Sequence, residues 1–325
     1  MSQEPISTSA PEALVENPYA LWDDRADPTV PTATRQIYEY IAGELGRKET
    51  GSVLRASAAT YCPKRRWYQR QGFAGTMFTP RKLINFMLGD LMEMVMLYWI
   101  KQACVGDGKL YRAVEFGTKS GEFCINRGGT PRVVELYDQP TLTTRVPATT
   151  TDPELIVTAH ADGFGQRQSD GQWELIEVKS AANWGFQDFK TGGPQDYLKQ
   201  AHTVMASDEC RAKAVCGVRY FYGRKETGHP WDRFYPFDPA TWQAVAQEYR
   251  AVQAAAEMPA PISLVPEMKG RRPNIQPTGR SVAQFPCTYC PYLERCQGKH
   301  TVEWGKDQWG NMRPKFLFEP KGARV

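Results

Sequence analysis

Apolar and polar residues alternate along several short runs with the two-residue period of half-buried strands. The runs are LYRAVEFG (110–117), ELIVTAHADGFG (154–165), WELIEVKS (173–180), AVCGVRYFYG (214–223) and DRFYPFD (232–238). The turn signal SDGQ (169–172) joins the second run to the third. Together, these runs predict a sheet in which the second and third strands are neighbours.

Other stretches follow helical periodicity. They predict a helix from about Thr34 to Leu45, a short helix with Ser57 as its N-cap through AATYCPKRRWYQRQ (58–71), a helix opened by the proline of PQDYLKQAHTVMAS (194–207), and an amphipathic helix over 238–258. The remainder of the chain is rich in proline and reads as irregular. With helices and strands interspersed, the pattern predicts an α/β core.

The most apolar helix is LINFMLGDLMEMVMLYWI (83–100), which has nearly the length of a membrane span. Asp90 and Glu93 lie near its middle, and an acidic residue costs roughly 2.5–3.5 kcal/mol at a bilayer centre. We therefore expect a buried core helix and no membrane partner. The first residues lack a basic region followed by an apolar run. This predicts a cytoplasmic protein, of a bacterium or of a phage-infected host cell.

Composition adds a frame to this pattern. The chain has 325 residues, 41% of them hydrophobic, which suffices for a large core. Its net charge of +4 permits a polyanionic partner without requiring one. We predict a flexible arm over residues 1–30, a helical region over 31–80, an α/β core over 81–260 and a cysteine-bearing extension over 261–325.

Two carboxylates and an amine are expected at the junction of the second and third predicted strands. Glu177 and Lys179 project from the same strand face because they are two residues apart. Asp162 ends the preceding strand, so pairing of the two strands would bring it close to Glu177. Two such carboxylates need a cation between them, and oxygen ligands favour Mg²⁺ or Mn²⁺. The alternative is an exposed strand face with one Glu–Lys pair.

Two further polar residues extend this hypothesis. Glu93 is costly in so apolar a helix unless it is paired or bound to metal, and Gly89 on the same face would let another backbone approach. The alternative for Glu93 is pairing with an arginine. Gln200, in YLKQAHTVM, can orient a water molecule or contact a phosphate, and its alternative is a surface glutamine.

In this order, GDLME, HADG, EVK and YLKQAHTVM resemble the RecB-like branch of the PD-(D/E)XK nucleases over roughly residues 80–225. The resemblance implies a restriction-endonuclease-like core, with a mixed sheet flanked by helices. It implies metal ligation by Asp162, Glu177 and the Val178 carbonyl, with Glu93 completing the site, and catalytic roles for these carboxylates, Lys179 and Gln200. The chain departs from the family in having Glu93 where many members have histidine, and Val204 where many have tyrosine. Tyr197, one turn before Gln200, is a substitute for that tyrosine.

Three cysteines form a C-x2-C-x5-C cluster, Cys287, Cys290 and Cys296, and Cys62 is a single upstream partner. Four thiolates divided one plus three suit an iron–sulfur cluster better than zinc, which normally takes two C-x2-C pairs, although zinc stays open. The arrangement is similar to that of AddB-type helicase–nucleases and CRISPR-associated RecB-like exonucleases. This likeness implies a 4Fe–4S cluster that joins the two ends of the domain. The other four cysteines are expected to be small buried hydrophobic residues.

The segment CPKRRWYQRQ combines basic and aromatic side chains as single-stranded DNA grooves do. Its predicted DNA contacts are Lys64, Arg65, Arg66, Trp67, Tyr68 and Arg70. The alternative is a solvated helix face.

These features predict a metal-dependent deoxyribonuclease, most simply an exonuclease acting on linear or single-stranded DNA in recombination, repair or phage DNA processing. A separate recombinase, annealing protein, helicase or CRISPR integrase would be its partner. Two other classes stay open, namely a catalytically silent DNA-binding subunit and a site-specific endonuclease.

Overall fold

The computed structural model describes residues 31–45, 54–73, 75, 80–125, 131–150, 153–181, 183–191, 195–259, 264–269, 276–283, 287, 290–297, 301–306 and 312–318. The chain divides into two compact units. The larger unit comprises Thr50–Ala74 and Asn85–Ile262, and the smaller comprises Met1–Glu49, Gly75–Ile84 and Ser263–Val325. Each unit is described below by itself.

The helices of the chain are α1 (Thr32–Leu45), α2 (Pro63–Arg70), α3 (Pro80–Ala103), α4 (Asn183–Thr191), α5 (Gln195–Met205), α6 (Asp208–Ala212), α7 (Pro239–Ala254) and α8 (Leu293–Gln297), with a 3-10 turn at Ala56–Thr60. The strands are β1 (Tyr111–Glu115), β2 (Lys119–Ile125), β3 (Arg132–Tyr137), β4 (Thr141–Val146), β5 (Leu155–His160), β6 (Gly163–Arg167), β7 (Trp173–Ala181), β8 (Gly217–Arg224), β9 (Pro230–Pro236), β10 (Leu264–Lys269), β11 (Gln276–Ala283), β12 (Thr301–Lys306) and β13 (Met312–Phe318).

The centre of the larger unit is a five-stranded sheet in the order β1-β6-β7-β8-β9. Strands β6 and β7 are antiparallel, whereas β7 and β8 are parallel. The parallel pair needs a crossover, and α4, α5 and α6 lie between β7 and β8 in the chain. The sheet is therefore mixed, and the expected mixed α/β class with flanking helices is confirmed.

The two faces of β7 contribute to different hydrophobic cores. Leu175 lies in the core formed with α5 and α7, where Val204 and Tyr249 are fully buried. Ile176, its neighbour in sequence, lies in the core on the other face, where it packs with Met96 of α3. The alternation of side chains along β7 thus places one layer of helices on each face of the sheet.

Helix α3 is less buried than the sequence predicts. Its face with Met96, Leu97 and Ile100 is buried, but Phe86 and Leu91 are 45% and 47% exposed. By length and composition, Leu83–Ala103 could cross a membrane, and only a small part of this segment is buried. One helix of this kind is weak evidence for a membrane protein, because core helices of soluble proteins can be equally long and apolar. The fold is compatible with a soluble protein.

Three other predictions of local structure are wrong. The run 154–165 is not one strand, because the chain bends at Asp162, so that β5 pairs with β4 while β6 pairs with β1 and β7. The N-cap of α2 is Cys62, whose sulfur accepts from the Arg65 N–H, and not Ser57. In the smaller unit, β10, β11, β12 and β13 form a four-stranded sheet where irregular structure was expected. The arm over residues 1–30 lies outside the described residues.

Candidate functional site

The register of β6 and β7 brings Asp162 close to Glu177. Gly163 pairs with Ile176 in this antiparallel ladder, so Asp162, one residue before Gly163, lies opposite Glu177, one residue after Ile176. The short turn at residues 168–170 fixes this register. The predicted convergence of the two carboxylates is confirmed.

Asp162 is held by two hydrogen bonds. Its Oδ2 accepts from the backbone N–H of Val178 at 2.5 Å, and its Oδ1 accepts from Nε2 of Gln139 at 2.5 Å. The residue is 3% exposed. Because both of its oxygens have donors fixed by neighbouring strands and loops, the carboxyl group has a defined orientation.

Glu177 and Lys179 share one face of β7, as the two-residue spacing predicts. The Lys179 ammonium donates to Oε1 of Glu177. The second oxygen of this carboxyl group, Oε2, is buried and has no hydrogen-bond partner. A buried acceptor without a donor is costly, so this atom marks a position where a positively charged group would be stabilised.

Glu93 enters the site from α3, which packs across the sheet. Its Oε1 accepts from Nε2 of Gln139 at 2.9 Å, the same amide that donates to Asp162. Glu93 therefore lies near Asp162, and within the described residues no arginine pairs with Glu93, while the metal-binding role predicted for it stays a prediction. Beside Gly89, one turn earlier, lie the side chains of Ser180 and Lys225 and not the backbone that was expected.

The electrostatics of the site reflect crowding of negative charge. Burial, together with repulsion from Asp162, raises the pKa of Glu93 from 4.5 to about 8. Burial raises the pKa of Glu177 to about 7, against the opposing effect of Lys179, and burial also raises the pKa of Asp162. Although burial disfavours the charge of Lys179, the nearby carboxylates raise its pKa. Three acidic groups thus compete for one cationic partner.

This donor set has the chemistry that a hard divalent cation requires. Three carboxyl groups converge, all of them with raised pKa values, and one buried oxygen lacks a donor. A cation would favour their charged forms. Within the described part of the chain, no three His, Cys, Asp or Glu side chains already stand in metal-binding geometry. Hydrogen bonds from Lys179, Gln139 and Val178 occupy several of the carboxylate oxygens.

Gln200 and Tyr197 take different positions on α5. Gln200 is half-buried and makes no hydrogen bond with the carboxylates of the described site. The Tyr197 ring lies 6.0 Å from the Lys179 ammonium, and its carbonyl accepts from the hydroxyl of Tyr220 at 2.7 Å. Tyr197 therefore lies near the site, and the catalytic role predicted for Gln200 stays a prediction.

The predicted DNA contacts of α2 require correction, because α2 docks on α7. Lys64, Arg66 and Tyr68 are buried, and buried side chains cannot contact a phosphate or a base. Lys64 pairs with Glu257 at 3.3 Å and Arg66 pairs with Glu248 at 2.7 Å. The DNA-contacting role predicted for these three residues is wrong, and their role is in packing.

The remaining members of the α2 set also make contacts within the protein. Trp67 donates its indole N–H to the Ala255 carbonyl at 3.1 Å, and Arg70 donates to the same carbonyl at 3.0 Å. The guanidinium of Arg65 lies 3.4 Å from the centroid of the Tyr61 ring. Trp67 and Arg70 therefore satisfy carbonyl groups at the C-terminus of α7, which has no further helical turn to do so.

The eight cysteines are free of disulfides. Cys62 lies in the larger unit, whereas Cys287, Cys290 and Cys296 lie in the smaller one, at the turn that leads into α8. The Cys290 N–H donates to the Cys287 carbonyl at 3.0 Å, so the first pair forms one tight turn. The iron–sulfur cluster on these four residues stays a prediction.

The other cysteines follow the expectation only in part. Cys210 is buried, and burial raises its pKa to about 11, as for an inert core thiol. Cys104 and Cys216 are half-buried. Cys124 is exposed on β2, so it is not the buried hydrophobic residue that was predicted.

Gln139 is the site residue that the sequence does not reveal. It lies in the loop between β3 and β4, within the tripeptide Asp138–Pro140, where neither helical nor strand periodicity exists. The only local signal is Pro140, which favours a loop. Its contact with Glu93 and Asp162 arises from tertiary structure alone.

No family model matches the chain, and no curated protein sequence matches it. Among solved structures, the chain is similar to one titled "Crystal structure of SSO0001", with 12% sequence identity and a TM-score of 0.39. The match covers 83% of this chain and 99% of that chain. A likeness this distant indicates neither the fold nor the function of this chain.

Proposed function

We propose that this protein is a metal-dependent deoxyribonuclease with a PD-(D/E)XK core, which hydrolyses phosphodiester bonds of linear or single-stranded DNA. One observation carries the proposal: Asp162, just before β6, lies with Glu177 and Lys179 of β7 and with Glu93 of α3. Three carboxyl groups and one amine around a single point are unusual for a structural ion pair, because only one cation offsets three acids.

The residues that would hold Mg²⁺ or Mn²⁺ are Asp162, Glu177 and Glu93, with the Val178 carbonyl beside them. Such an ion supplies an activated water and stabilises negative charge on the scissile phosphate. Glu177 offers its unpartnered Oε2, and Asp162 is oriented for this role by the backbone of Val178. These features support the metal assignment without depending on the resemblance in sequence.

Lys179 has a role that its own environment supports. Neighbouring carboxylates raise its pKa, so it is a cation at neutral pH. A cation at this position stabilises charge that develops on an attacking hydroxide or on a phosphate oxygen. We assign Lys179 to that stabilisation. Glu177 positions the Lys179 side chain by accepting a hydrogen bond from its ammonium group.

Lys225 provides a further cation, about one helical turn of α3 away from Glu93 and outside the group of carboxylates. Its N–H donates to the Ala181 carbonyl at 3.0 Å, and its Nζ donates to the Asn85 carbonyl on α3 at 3.3 Å. The ammonium lies 4.0 Å from the position of a Cβ on Gly89, one helical turn before Glu93. We assign Lys225 to a DNA phosphate adjacent to the scissile one, a role that the buried side chains of α2 do not fill.

The four cysteines Cys62, Cys287, Cys290 and Cys296 are proposed to hold a 4Fe–4S cluster, on the basis of their spacing in the sequence. The structure contributes only the tight turn of the C-terminal group. The role of the cluster would be structural, because it closes a very long loop of chain. A recombinase, annealing protein, helicase or CRISPR integrase is the corresponding class of partner for the enzyme.

Cleavage of end-labelled DNA tests the proposed function. Linear and closed circular DNA, each single- and double-stranded, is incubated with Mn²⁺ or Mg²⁺ and anaerobically purified protein, beside Lys179→Gln. We expect metal-dependent degradation of linear DNA from a labelled end, and its loss in the variant. Cutting of circles instead would indicate an endonuclease. DNA binding without any metal-dependent cleavage would overturn the enzyme assignment in favour of a binding subunit.

A further inference from the structure

The amide of Gln139 links two acidic groups that come from different elements. Its Nε2 donates to Oε1 of Glu93 at 2.9 Å and to Oδ1 of Asp162 at 2.5 Å. A primary amide nitrogen carries two protons, so each carboxyl group receives one. The amide therefore sets the separation between the acidic group from α3 and the acidic group that precedes β6.

The backbone around Gln139 is fixed on both sides. The N–H of Asp138 donates to the Thr118 carbonyl at 2.9 Å, and the Pro140 carbonyl accepts from the N–H of Ala161 at 3.3 Å. Ala161 immediately precedes Asp162, so the loop and the carboxylate are anchored to each other. Because the backbone is already fixed, ordering the Gln139 amide costs only the conformational entropy of its own side chain.

Gly117 sets how closely this loop approaches its neighbour. A Cβ at Gly117 would lie 1.6 Å from the carbonyl oxygen of Asp138, a distance that no packing allows. A side chain at Gly117 must therefore displace the loop that carries Gln139. The position offers a way to move Gln139 without changing its chemistry.

We propose that Gln139 is a positioning residue that holds Glu93 and Asp162 in the orientation in which they share one divalent cation. This inference rests on the proposed metal-dependent function and adds a residue to it. The amide takes one lone pair from each carboxylate and leaves the remaining lone pairs of both groups for the metal. Because the amide is neutral, it orders the two acidic groups without competing with the metal ion for their negative charge. A lysine or arginine in its place would compete with the metal ion.

Gln139→Leu tests the proposal, because leucine removes both hydrogen bonds and adds no charge. Outer partners of metal ligands typically contribute 10- to 100-fold to metal affinity, so we expect Mn²⁺ to bind about 10- to 100-fold more weakly. The affinity is measured on the metal-free full-length protein by calorimetry and by the electron paramagnetic resonance signal of free Mn²⁺. Gln168→Leu, at an exposed position beyond the other end of β6, is the matched control and should bind as the wild type does.

Two further readouts separate positioning from general stability. Gln139→Leu should bind DNA in the absence of metal with unchanged affinity, and saturating Mn²⁺ should restore its cleavage rate. Gly117→Ala should weaken Mn²⁺ binding in the same direction, since it displaces the loop. Gln139→Asn, whose amide is one methylene shorter, serves if the leucine variant does not fold, and it too should bind Mn²⁺ more weakly.

The outcomes distinguish this inference from the proposed function. Unchanged Mn²⁺ affinity in the folded Gln139 variant, with binding lost in Asp162→Asn, would overturn the role of Gln139 and leave the metal site standing. Absence of any Mn²⁺ binding that depends on Asp162 would overturn the metal-dependent function itself.

Discussion

Asp162 and Val178 are joined by a 2.5 Å hydrogen bond from the backbone N–H of Val178 to the Asp162 carboxylate. This bond ties the start of β6 to β7 one residue beyond Glu177. It makes Asp162 part of the sheet as well as part of the site. A substitution here that preserves shape removes the charge but keeps an acceptor for only one of the two N–H donors.

Asp162→Asn should abolish DNA cleavage while the fold persists. An amide keeps the size of the side chain and one acceptor, but it cannot supply the negative charge that a hard cation requires. We expect cleavage to fall by at least about 100-fold, the scale of losing one charge-stabilising group. Asp107→Asn, in an exposed turn, is the control and should retain full activity, with circular dichroism confirming that both variants fold. Cleavage at the wild-type rate by Asp162→Asn would exclude this aspartate from the chemistry.

The metal-free protein should lose stability as pH rises from about 4.5 to about 8. Burial and neighbouring acids raise the pKa of Glu93 from 4.5 to about 8 and that of Glu177 to about 7. The folded state then binds more protons than the unfolded state in this window, and stability falls as those protons leave. The contribution is fully present below pH 4.5 and is lost as pH passes through the folded values.

Urea unfolding of chelator-treated protein at several pH values measures this effect. Glu93→Gln removes one of these raised titrations, so the stability of the variant should depend less steeply on pH. Added Mn²⁺ should restore stability at pH 8 in the wild type, because a ligand of the folded state stabilises it by mass action. A wild-type profile that is flat between pH 5 and 8 would contradict the crowding of the carboxylates.

The sequence predicts that Asp162 and Glu177 lie close together because one short turn joins the strands that carry them. The turn SDGQ and the alternation of WELIEVKS determine the register that places Asp162 opposite Glu177. Glu93 was predicted from the cost of a carboxylate in an apolar helix, a property of the helix itself. Its direction toward the site, like the position of Gln139, depends on packing between distant segments and has no local pattern.

The basic segment of α2 is a case in which the sequence does not determine the partner of a cluster of positive charges. A cluster of positive charge looks the same whether its partner is a phosphate or a carboxylate of the same protein. The partner of Arg66 is Glu248, 182 positions away in the chain. The sequence offers no local means of choosing between those two partners, and the choice decides whether α2 binds DNA or α7.

Glu248→Gln should destabilise the protein without weakening DNA binding. Arg66 is buried and pairs with Glu248 at 2.7 Å, so loss of the carboxylate charge leaves a buried guanidinium poorly compensated. We expect a loss of about 2 kcal/mol, less than for a fully buried pair because Glu248 is partly exposed. Glu154→Gln, in the exposed pair with Arg145, should cost no more than about 0.5 kcal/mol.

Thermal unfolding and DNA binding by fluorescence anisotropy, measured on the same samples, check this prediction. Weaker DNA binding by Glu248→Gln, at a temperature where the variant is fully folded, would support the prediction that α2 contacts DNA.

Cys290→Ser should remove bound iron and lower stability. If the four predicted cysteines hold a 4Fe–4S cluster, the anaerobically purified protein should be brown and contain about four iron atoms per chain. Cys124→Ser, at an exposed cysteine outside the predicted set, should keep the same iron content. Stoichiometric zinc in a colourless wild-type protein would mean that the four cysteines bind zinc and not an iron–sulfur cluster.

Lys225→Ala should weaken DNA binding and make it less dependent on salt. Each neutralised phosphate contributes about 0.7 to the slope of log affinity against log salt for single strands, and about 0.9 for duplexes. Loss of one phosphate contact should reduce the slope by that amount. Lys109→Ala, in the exposed turn before β1, is the matched control, since it removes the same charge from the chain.

The comparison is made with metal-free protein, so that binding is measured without cleavage. A change in affinity that is equal in both lysine variants would reflect only net charge. Reduction of the slope in Lys225→Ala alone would mean that a phosphate lies at the end of β8, one helical turn from Glu93 along α3. If the slope of log affinity against log salt is unchanged in Lys225→Ala, DNA does not contact this edge of the sheet. This conclusion would hold even if the carboxylates carry out the cleavage.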